Sequence, residues 1–527
     1  MECSHKYRGS MSDFEKRFVR PDKASRCTWK LESDEVSPHE TRRSFKNEKI
    51  NPSILEAIGN TPLVKLNVIP KLFGVRCNVY AKCEFMNPGG SAKDRIGLRI
   101  IKDAEQEGLI KPGLSTIIEP TAGNTGIGLA LAAAVKGYRC VIVMSDKMSA
   151  EKVATLRALG AEVIRTTTEA RFDSPDSVIA LAQRIQWERP NSIVLNQYVN
   201  PGNPLAYYDG MAEEIVDQLD GKIDMVVSSV GTGGTITGLG RKFKELNPAC
   251  QVIAADPKGS ILANPPELNQ TDCKTWQVEG VGFDFIPTVL DRSIIDRWIK
   301  FSDEEALTMA RRLIAQEGLL CGGSSGGSTF AAMHAAKALS EDQNCVIVFP
   351  DSIRNYLTKF VSDSWMVSRG FLEPVNVHEH RWWNLPVSEM GMLPQPTIGP
   401  EATIREAIAS MKTSGQDQLA VLSPETTQLM GVIDLPHLMD KVMNRFADVG
   451  DPVSKVLSCQ FVRIYQNQCT MSRVARILEQ EPFVAVVESG EEGKDWASGQ
   501  LNNVKTKLNR ERSRNNHYSS TIKSIIF

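Results

Sequence analysis

Short apolar runs alternate with longer stretches of helical character from Ile54 onward. Valine and isoleucine dominate these runs, as in strands that are buried on both faces of a sheet. Buried strands that alternate with helices predict a parallel sheet in an α/β architecture. The runs expected to form strands are residues 79–81, 116–118, 140–144, 162–164, 224–227, 251–255 and 345–349.

Changes in this pattern divide the chain into five segments. Residues 1–50 are polar and rich in charge, and residues 51–370 carry the α/β pattern. Residues 371–392, which contain proline, histidine and tryptophan, are expected to form a linker. A smaller α+β module is predicted over residues 393–490, and residues 491–527 are expected to be a divergent, disordered basic tail.

The smaller module contains one helix–strand pattern twice. The second copy breaks off after Val487, where a final strand and helix would complete it. We therefore expect residues 483–487 to leave apolar surface and a sheet edge uncovered. The first copy comprises residues 402–411, 418–422 and 431–434, and the second comprises residues 469–478 and 483–487.

Length and charge narrow the range of partners. A chain of 527 residues is too long for one core, and with 42% hydrophobic residues it can fill about three domains. The net charge is −2, from 61 basic and 63 acidic residues. This balance gives no reason to expect nucleic acid or an anionic membrane as a partner. Small molecules are the better expectation.

Cysteine usage and the absence of long apolar segments bear on location. Eleven cysteines are scattered without a Cys-x-x-Cys pair, which favours a reducing compartment over a disulfide framework. The charged first twenty residues do not resemble a secretory signal, and no segment has the roughly 18 apolar residues of a membrane helix. The sequence therefore predicts a cytoplasmic protein.

One lysine and three glycine-rich loops supply candidate chemistry. Lys93 lies in the Asn-Pro-Gly-Gly-Ser-Ala-Lys-Asp-Arg sequence of residues 87–95, and the loops are residues 121–126, 231–235 and 321–325. Each feature alone is usually a solvated loop or a turn. Together they offer an amine, N–H groups for a phosphate, an amide and a hydroxyl, which are the groups that pyridoxal phosphate requires. Loops that follow parallel strands also share one edge of a sheet, where ligands collect.

On these motifs residues 51–370 resemble the β-family (fold-type II) pyridoxal-phosphate enzymes, which have parallel or mixed sheets flanked by helices. Further likeness to the cystathionine β-synthase branch lies in residues 26–29, 37–39, 278–290 and 315–323 and in the C-terminal extension. The extension resembles the tandem regulatory repeats of that branch. The resemblance implies β-replacement of the hydroxyl of L-serine by L-homocysteine, giving L-cystathionine and water. Use of cysteine would release hydrogen sulfide, and at least a homodimer is expected.

The resemblance also assigns roles to individual residues. Lys93 would form the imine with the cofactor and then move protons at the substrate Cα. Asn124 would bind the cofactor's 3′-oxygen, and Ser324 would contact the pyridine nitrogen. The phosphate would bind Gly231, Thr232, Gly233, Gly234 and Thr235, and the substrate would bind Thr121, Ala122, Gly123, Thr125, Gln197, Tyr198 and Gly280.

A second cofactor is implied by the N-terminal segment. The flanks of Cys27 and His39 are similar to those of the family's axial ligands to haem b iron. A thiolate ligand needs a cationic neighbour, and Arg241 matches the family's candidate. The pair His378 and His380 is interpreted as part of the linker.

Two other functions stay open. A cysteine synthase would use an activated serine and sulfide, and Cys27, His39 and the C-terminal repeats argue against it. A catalytically silent nucleotide-sensing scaffold is disfavoured by intact Lys93, Asn124 and Ser324. Within the repeats, Asp434 and His437 differ from the usual pattern of a ribose-binding site. Activation by S-adenosylmethionine is therefore doubtful.

Overall fold

The structure is a computed structural model that describes most of residues 50–527. Inside that range the gaps are residues 167–170, 272, 274, 374–382, 391–392, 395, 425–428, 444–445, 459–460, 466–468, 482, 488–501 and 504–527. The chain divides into residues 1–51 and a unit of residues 52–527, and the elements below belong to the latter. Cys27, His39, His378 and His380 lie outside the described residues.

A mixed six-stranded sheet forms the larger layer of the α/β region. Its strands are parallel except for the first, which pairs antiparallel with the second. The central strands are buried on both faces, which explains their continuous apolar sequences. In spatial order the strands are Leu63–Lys65, Asn78–Cys83, Asn344–Phe349, Met225–Ser229, Gln251–Pro257 and Arg297–Phe301.

A second sheet of four parallel strands forms the smaller layer. In spatial order its strands are Glu162–Thr166, Arg139–Ser145, Thr116–Pro120 and Ser192–Val194. The predicted α/β class with parallel and mixed sheets is therefore confirmed, and the observed strands overlap all seven runs expected from the sequence.

Helices cover both sheets and place loops at the carboxyl ends of the strands. The helix Asp303–Glu317 begins with a capping box, in which Ser302 and Glu305 satisfy each other's backbone N–H groups. The α-helices of this region are Ile69–Leu72, Lys93–Gln106, Asn124–Lys136, Ala150–Ala158, Val178–Glu188, Gly202–Ala206, Ala212–Gln218, Gly234–Leu246, Asp303–Glu317, Gly323–Ala335 and Asp363–Ser368, with a π-helix at Tyr207–Met211. Short 3-10 helices are Ile54–Ala57, Glu84–Met86, Pro266–Asn269, Arg292–Ile294, Ala336–Ala338 and Ile353–Tyr356.

The C-terminal region has small sheets of its own. Thr397–Ile398, Gln418–Leu422 and Leu429–Asp434 form a three-stranded sheet, while Arg463–Tyr465 pairs in parallel with Ala485–Val487. Leu393–Pro394 pairs antiparallel with Asn502–Asn503. The helices are Ile404–Ser414, Leu435–Met443 and Met471–Gln480, and 3-10 helices are Val387–Met390 and Val453–Val456.

One expectation for this region is wrong. Residues 483–486 are buried rather than uncovered, with Phe483 4% and Val484 0% exposed. They belong to a core that also includes Ala420 and Val432 of the first copy and Val387, which precedes that copy in the chain. The two copies thus cover each other's apolar side chains, which the pattern of a single copy does not reveal.

None of the described helices combines the length with the apolar character that a membrane crossing requires.

Candidate active site

Lys93 begins the helix Lys93–Gln106 and lines a cleft between the two sheets. Its backbone N–H donates to Oγ of Ser91 at 3.1 Å, which fixes the start of the helix. Withdrawal from bulk water lowers the pKa of Lys93 to about 8, although the charges of Asp351 and Glu84 oppose the shift. A lysine with such a pKa is partly neutral near physiological pH and can act as a nucleophile or base.

The cleft has about 700 Å³ of empty volume, its open mouth included, and brings together most of the predicted site residues. They come from six separate parts of the sequence, most of which follow a strand or lie at the start of a helix. The predicted residues in its wall are Lys93, Thr121, Ala122, Asn124, Thr125, Gln197, Gly231, Thr232, Gly233, Thr235, Gly280 and Ser324.

Three other predicted residues, Gly123, Gly234 and Tyr198, are adjacent to residues of this wall. The N–H of Gly123 donates to Oγ1 of Thr121 at 3.1 Å, and Gly234 is the first residue of the helix Gly234–Leu246. Tyr198 is 5% exposed and packs edge-on against Phe283, which lines the cleft, with ring centroids 5.5 Å apart.

The loop at residues 231–235 has the geometry of an anion site. It links the strand Met225–Ser229 to the helix Gly234–Leu246, whose free N–H groups and positive dipole end attract phosphate. Gly231 must lack a side chain, because a Cβ there would lie 2.4 Å from the carbonyl oxygen of Gly280. That contact joins the anion loop to the loop at Gly280.

A hydrogen-bonded turn holds Gln197 against the loop at residues 121–126. Oγ1 of Thr125 donates to Oε1 of Gln197 at 2.7 Å, while Nε2 of Gln197 donates to the carbonyl of Pro120 at 2.9 Å. The backbone N–H of Gln197 donates to the buried carboxyl of Glu119 at 2.9 Å. Burial raises the pKa of Glu119 to about 8.

Asn124 has two side-chain partners that sequence reasoning missed. Nδ2 of Asn124 donates to Oδ2 of Asp351 at 2.8 Å, and Nδ2 of Asn355 donates to Oδ1 of Asn124 at 3.0 Å. The hydroxyl of Tyr356 donates to the same Asp351 carboxyl. Asp351 follows the strand Asn344–Phe349, so the rule that residues after parallel strands meet at one edge could have identified it.

A buried ion cluster at the loop with Gly280 was also missed. Nζ of Lys152 donates to Oε2 of Glu279 at 2.7 Å and to the hydroxyl of Tyr356 at 3.1 Å. Lys359 forms a further ion pair with Glu279. Glu279 and Lys152 are both buried, and the cluster links the loop with Gly280 to Tyr356 and Asp351.

The expected haem ligands Cys27 and His39 lie outside the residues that the structure describes. Within the described ranges no group of three or more His, Cys, Asp or Glu side chains could hold a metal ion. The guanidinium of Arg241 donates to Oδ2 of Asp291 at 2.8 Å.

Comparisons with known proteins add independent findings. The sequence model of the family described as "Pyridoxal-phosphate dependent enzyme" matches residues 54–351. Cystathionine beta-synthase of Oryctolagus cuniculus is 53% identical over 476 residues, which cover 90% of this chain and 86% of the rabbit protein.

Two solved structures are also similar. The O-acetylserine dependent cystathionine beta-synthase from Helicobacter pylori is 38% identical, with a TM-score of 0.55 over 59% of this chain and 99% of that one. A hydrogen sulfide-producing enzyme from Fusobacterium nucleatum is 37% identical, with a TM-score of 0.54 over 58% of this chain and 100% of that one.

Proposed function

Because the chain belongs to the cystathionine β-synthase family of pyridoxal-phosphate-dependent enzymes, we propose that it joins L-serine and L-homocysteine into L-cystathionine and water. It is a pyridoxal-phosphate-dependent lyase of transsulfuration and cysteine biosynthesis. The observation that carries the proposal is the placement of Lys93, Asn124, Ser324 and the anion loop around one cleft.

The residues of the cleft fit the cofactor. Lys93 supplies an amine of lowered pKa, and the start of the helix Gly234–Leu246 supplies N–H groups for a phosphate. Ser324 is buried and lines the cleft, where its hydroxyl can contact a pyridine nitrogen. Residues 231–235, Asn124 and Ser324 would thus hold the group, and Lys93 would bind it covalently.

When bound, pyridoxal phosphate accepts the electron pair that deprotonation leaves on Cα, which permits loss of the β-hydroxyl and addition of a thiolate. Nζ of Lys93 takes that proton and returns it. Because Ser324 offers a neutral hydroxyl instead of a carboxylate, it does not hold the pyridine nitrogen protonated. A moderate electron sink of this kind suits elimination and replacement at Cβ.

Substrate contacts are assigned to the loops that face Lys93. The backbone of Thr121, Ala122, Gly123 and Thr125 would hold the substrate carboxylate. Gln197 orients this loop through its bond from Thr125, and Tyr198 with Phe283 encloses the apolar side. Gly280 would close over the bound amino acid and exclude water.

The direct test is an assay of purified protein with L-serine and L-homocysteine, in which cystathionine is measured by mass spectrometry. Formation of cystathionine at a rate above that with L-homocysteine omitted supports the proposal. Absence of product from cofactor-loaded, folded protein would overturn it.

A cysteine synthase is the second candidate, and the similarity to an O-acetylserine dependent enzyme favours its inclusion. The same protein should be assayed with O-acetyl-L-serine and sulfide. Faster formation of cysteine there than of cystathionine from serine would favour this alternative. Incubation with cysteine and homocysteine tests hydrogen sulfide release, the activity named for the Fusobacterium relative.

A haem b group is proposed for the N-terminal segment, with Cys27 and His39 as axial ligands to iron. The matching flanking sequences support this, and both residues lie outside the described structure. Replacement of either residue by alanine should shift the Soret band and lower the haem content. An unchanged spectrum and iron content in the double variant would place the ligands elsewhere.

The remaining organisation is proposed from the sequence. Residues 1–50 would bind haem, 51–370 would be catalytic, 371–392 a linker, 393–490 a regulatory repeat module and 491–527 a basic tail. The protein would act in the cytoplasm as a homodimer or larger homo-oligomer, without nucleic-acid or membrane partners. Size-exclusion chromatography with light scattering tests the assembly.

A further inference from the structure

Asp351 is a buried carboxylate for which the reaction described above has no use. It lies two positions after the strand Asn344–Phe349 and is 1% exposed. Pro350 next to it lines the cleft. A buried carboxylate is costly unless its surroundings compensate the charge, so its contacts indicate what it does.

The two oxygens of Asp351 have different surroundings. Oδ2 accepts from Nδ2 of Asn124 at 2.8 Å and also from the hydroxyl of Tyr356. Oδ1 is buried and has no hydrogen-bond partner among the described residues. It packs against Gly322, where a Cβ would lie 2.0 Å from it. Gly322, two residues before Ser324, must therefore be glycine, because any side chain there would collide with the Asp351 carboxylate.

These contacts fix the orientation of Asn124. Its Nδ2 faces the Asp351 carboxyl, and its Oδ1 accepts from Asn355 at 3.0 Å. A half-turn of the amide would direct its oxygen at a carboxylate and its nitrogen at another N–H donor. Because an amide nitrogen carries two hydrogens, the second remains available to an acceptor in the cleft.

Asp351 also acts on Lys93 through its charge. Burial lowers the pKa of Lys93 to about 8, and Asp351 is the leading group that raises it, followed by Glu84. Tyr207 presents its ring to Nζ of Lys93 at 5.8 Å from the centroid. Burial raises the pKa of Asp351 above its usual value, while the charge of Lys152 and the hydrogen bonds from Tyr356 and Asn124 oppose that rise.

We infer that Asp351 is a positioning residue, which aims the Asn124 donor at the cofactor's 3′-oxygen and serves as the counter-charge of Lys93. This rests on the proposed function, since Lys93 and Asn124 are taken as cofactor-binding residues. Tyr356 holds Asp351 in place and receives a hydrogen bond from Lys152 at 3.1 Å. The carboxylate therefore connects the ion cluster at Glu279 with the two residues nearest the reacting end of the cofactor.

The first test measures the charge effect on the apoprotein, without turnover. The pKa of Lys93 is obtained from competitive acetylation over a range of pH, with peptides quantified by mass spectrometry. Asp351→Asn should lower this pKa by about one unit, because an opposite charge has been removed nearby. The matched control is Asp256→Asn, which alters another buried aspartate that has an unpartnered oxygen and a lysine partner, Lys300.

An equal Lys93 pKa in wild type and folded Asp351→Asn would overturn the inference. The result expected for Asp256→Asn is the wild-type value. If both aspartate variants lower the pKa of Lys93 by the same amount, the loss of any buried carboxylate explains the change. Asp351 would then have no specific role as the counter-charge, and the inference fails.

The second test measures the effect of the hydrogen bond from Tyr356 to Asp351. It decides the role of Asp351 if the Asp351→Asn variant does not fold. Tyr356→Phe removes the hydroxyl that donates to Asp351 and should raise the dissociation constant of pyridoxal phosphate from the apoprotein about fivefold, the effect of one hydrogen bond. Tyr138→Phe is the control, since Tyr138 is buried and donates to Oε1 of Glu105 at 2.9 Å. Equal dissociation constants in wild type and Tyr356→Phe would contradict the inference.

Failure of the proposed function has a different signature. Borohydride reduction of wild-type holoenzyme should fix pyridoxal phosphate on Lys93, as a mass shift of the peptide that contains it. Modification of another lysine would refute the site itself. Modification of Lys93 with no effect of Asp351→Asn on its pKa would refute the role of Asp351 alone.

Discussion

At the scale of single residues, Lys93 differs from the other lysines of the α/β region in the surroundings of its amine. Burial lowers its pKa to about 8, and its Nζ has no hydrogen-bond partner among the described residues. Other lysines of the α/β region form direct ion pairs, such as Lys82 with Glu214 and Lys152 with Glu279. An amine left without such a partner in a cleft is available for covalent chemistry.

Lys93→Ala should therefore abolish turnover while the protein stays folded. The rate of cystathionine formation is expected to fall to ~10⁻³ of wild type or lower, since a general base alone contributes about 10²–10⁴-fold. The visible absorbance of the cofactor imine should disappear with it. Lys102→Ala is the matched control, because Lys102 is an exposed lysine on the same helix and should leave both signals unchanged. Substantial retained turnover in Lys93→Ala would disprove the assignment.

The residues of the site were predicted unevenly. The loops at residues 121–126 and 231–235 were noticed because glycine-rich sequences follow predicted strands there, whereas the roles of Asn124 and Ser324 were inferred from the family resemblance. Asp351 was missed because its role depends on a contact with Asn124, which is 227 positions away in the chain. Sequence spacing carries no information on such a contact.

At the scale of structural elements, the anion loop depends on the close approach of two loops. A Cβ at Gly231 would lie 2.4 Å from the carbonyl oxygen of Gly280, so Gly231→Ala must displace backbone. We expect the dissociation constant of pyridoxal phosphate to rise about tenfold or more, measured by titration of the apoprotein, because the N–H groups of the loop lose their alignment. The control is Gly399→Ala, where nothing lies within 4 Å of the added Cβ. Equal affinities in both variants would exclude a constrained loop.

A buried ion network holds the helix with Lys93 in place. Arg95, on that helix, pairs with Glu84 at 2.7 Å and with Glu214 at 2.6 Å, and Lys82 also pairs with Glu214. Although burial raises the pKa of Glu214, the hydrogen bonds and charges of Arg95 and Lys82 bring it to about 2. The network joins the strand Asn78–Cys83 to the helices Lys93–Gln106 and Ala212–Gln218.

Glu214→Gln should destabilise the protein at neutral pH by about 3 kcal/mol, because one partner of a largely buried ion pair is removed. A carboxyl with a lowered pKa stabilises the fold above its unfolded pKa, near 4.5, and loses that contribution as the pH falls toward about 2. The difference between variant and wild type should therefore shrink below about pH 4.5, as measured by urea unfolding at several pH values. Glu213→Gln alters an adjacent surface ion pair and should have little effect at any pH. A difference for Glu214→Gln that is independent of pH would contradict this account.

The elements themselves were largely predictable, while their packing was not. The alternation of apolar runs predicted seven of the ten strands of the two sheets, because buried parallel strands have continuous apolar sequences. It did not predict Leu63–Lys65, Ser192–Val194 and Arg297–Phe301. The same reasoning failed at residues 483–486, where core partners come from Val387, Ala420 and Val432. A local pattern shows which side chains are apolar and cannot show which distant element covers them.

At the scale of the whole molecule, the C-terminal region contacts the α/β region through ion pairs and a pair of packed helices. Arg369 pairs with Glu481 at 2.7 Å, and Lys441 pairs with Asp146 at 2.9 Å. The helix Asp363–Ser368 packs against the helix Met471–Gln480. Coupling between the two regions would require a ligand that binds one arrangement of these contacts better than another.

We predict that S-adenosylmethionine is not such a ligand for this chain. The N–H of His437 donates to Oδ1 of Asp434 at 2.9 Å, so the aspartate is engaged at the start of the helix Leu435–Met443. By resemblance a ribose-binding aspartate would stand at position 437, where this chain has histidine, and the second copy lacks the corresponding segment after Val487. A ligand activates an enzyme only when it binds the active conformation more tightly than the inactive one. Without a side chain that binds the ribose, S-adenosylmethionine stabilises neither conformation. Calorimetric titration of the full-length protein with S-adenosylmethionine should show no saturable binding, and the rate of cystathionine formation should not change. Saturable binding together with a several-fold rise in turnover would show that residues 393–490 form an intact nucleoside sensor.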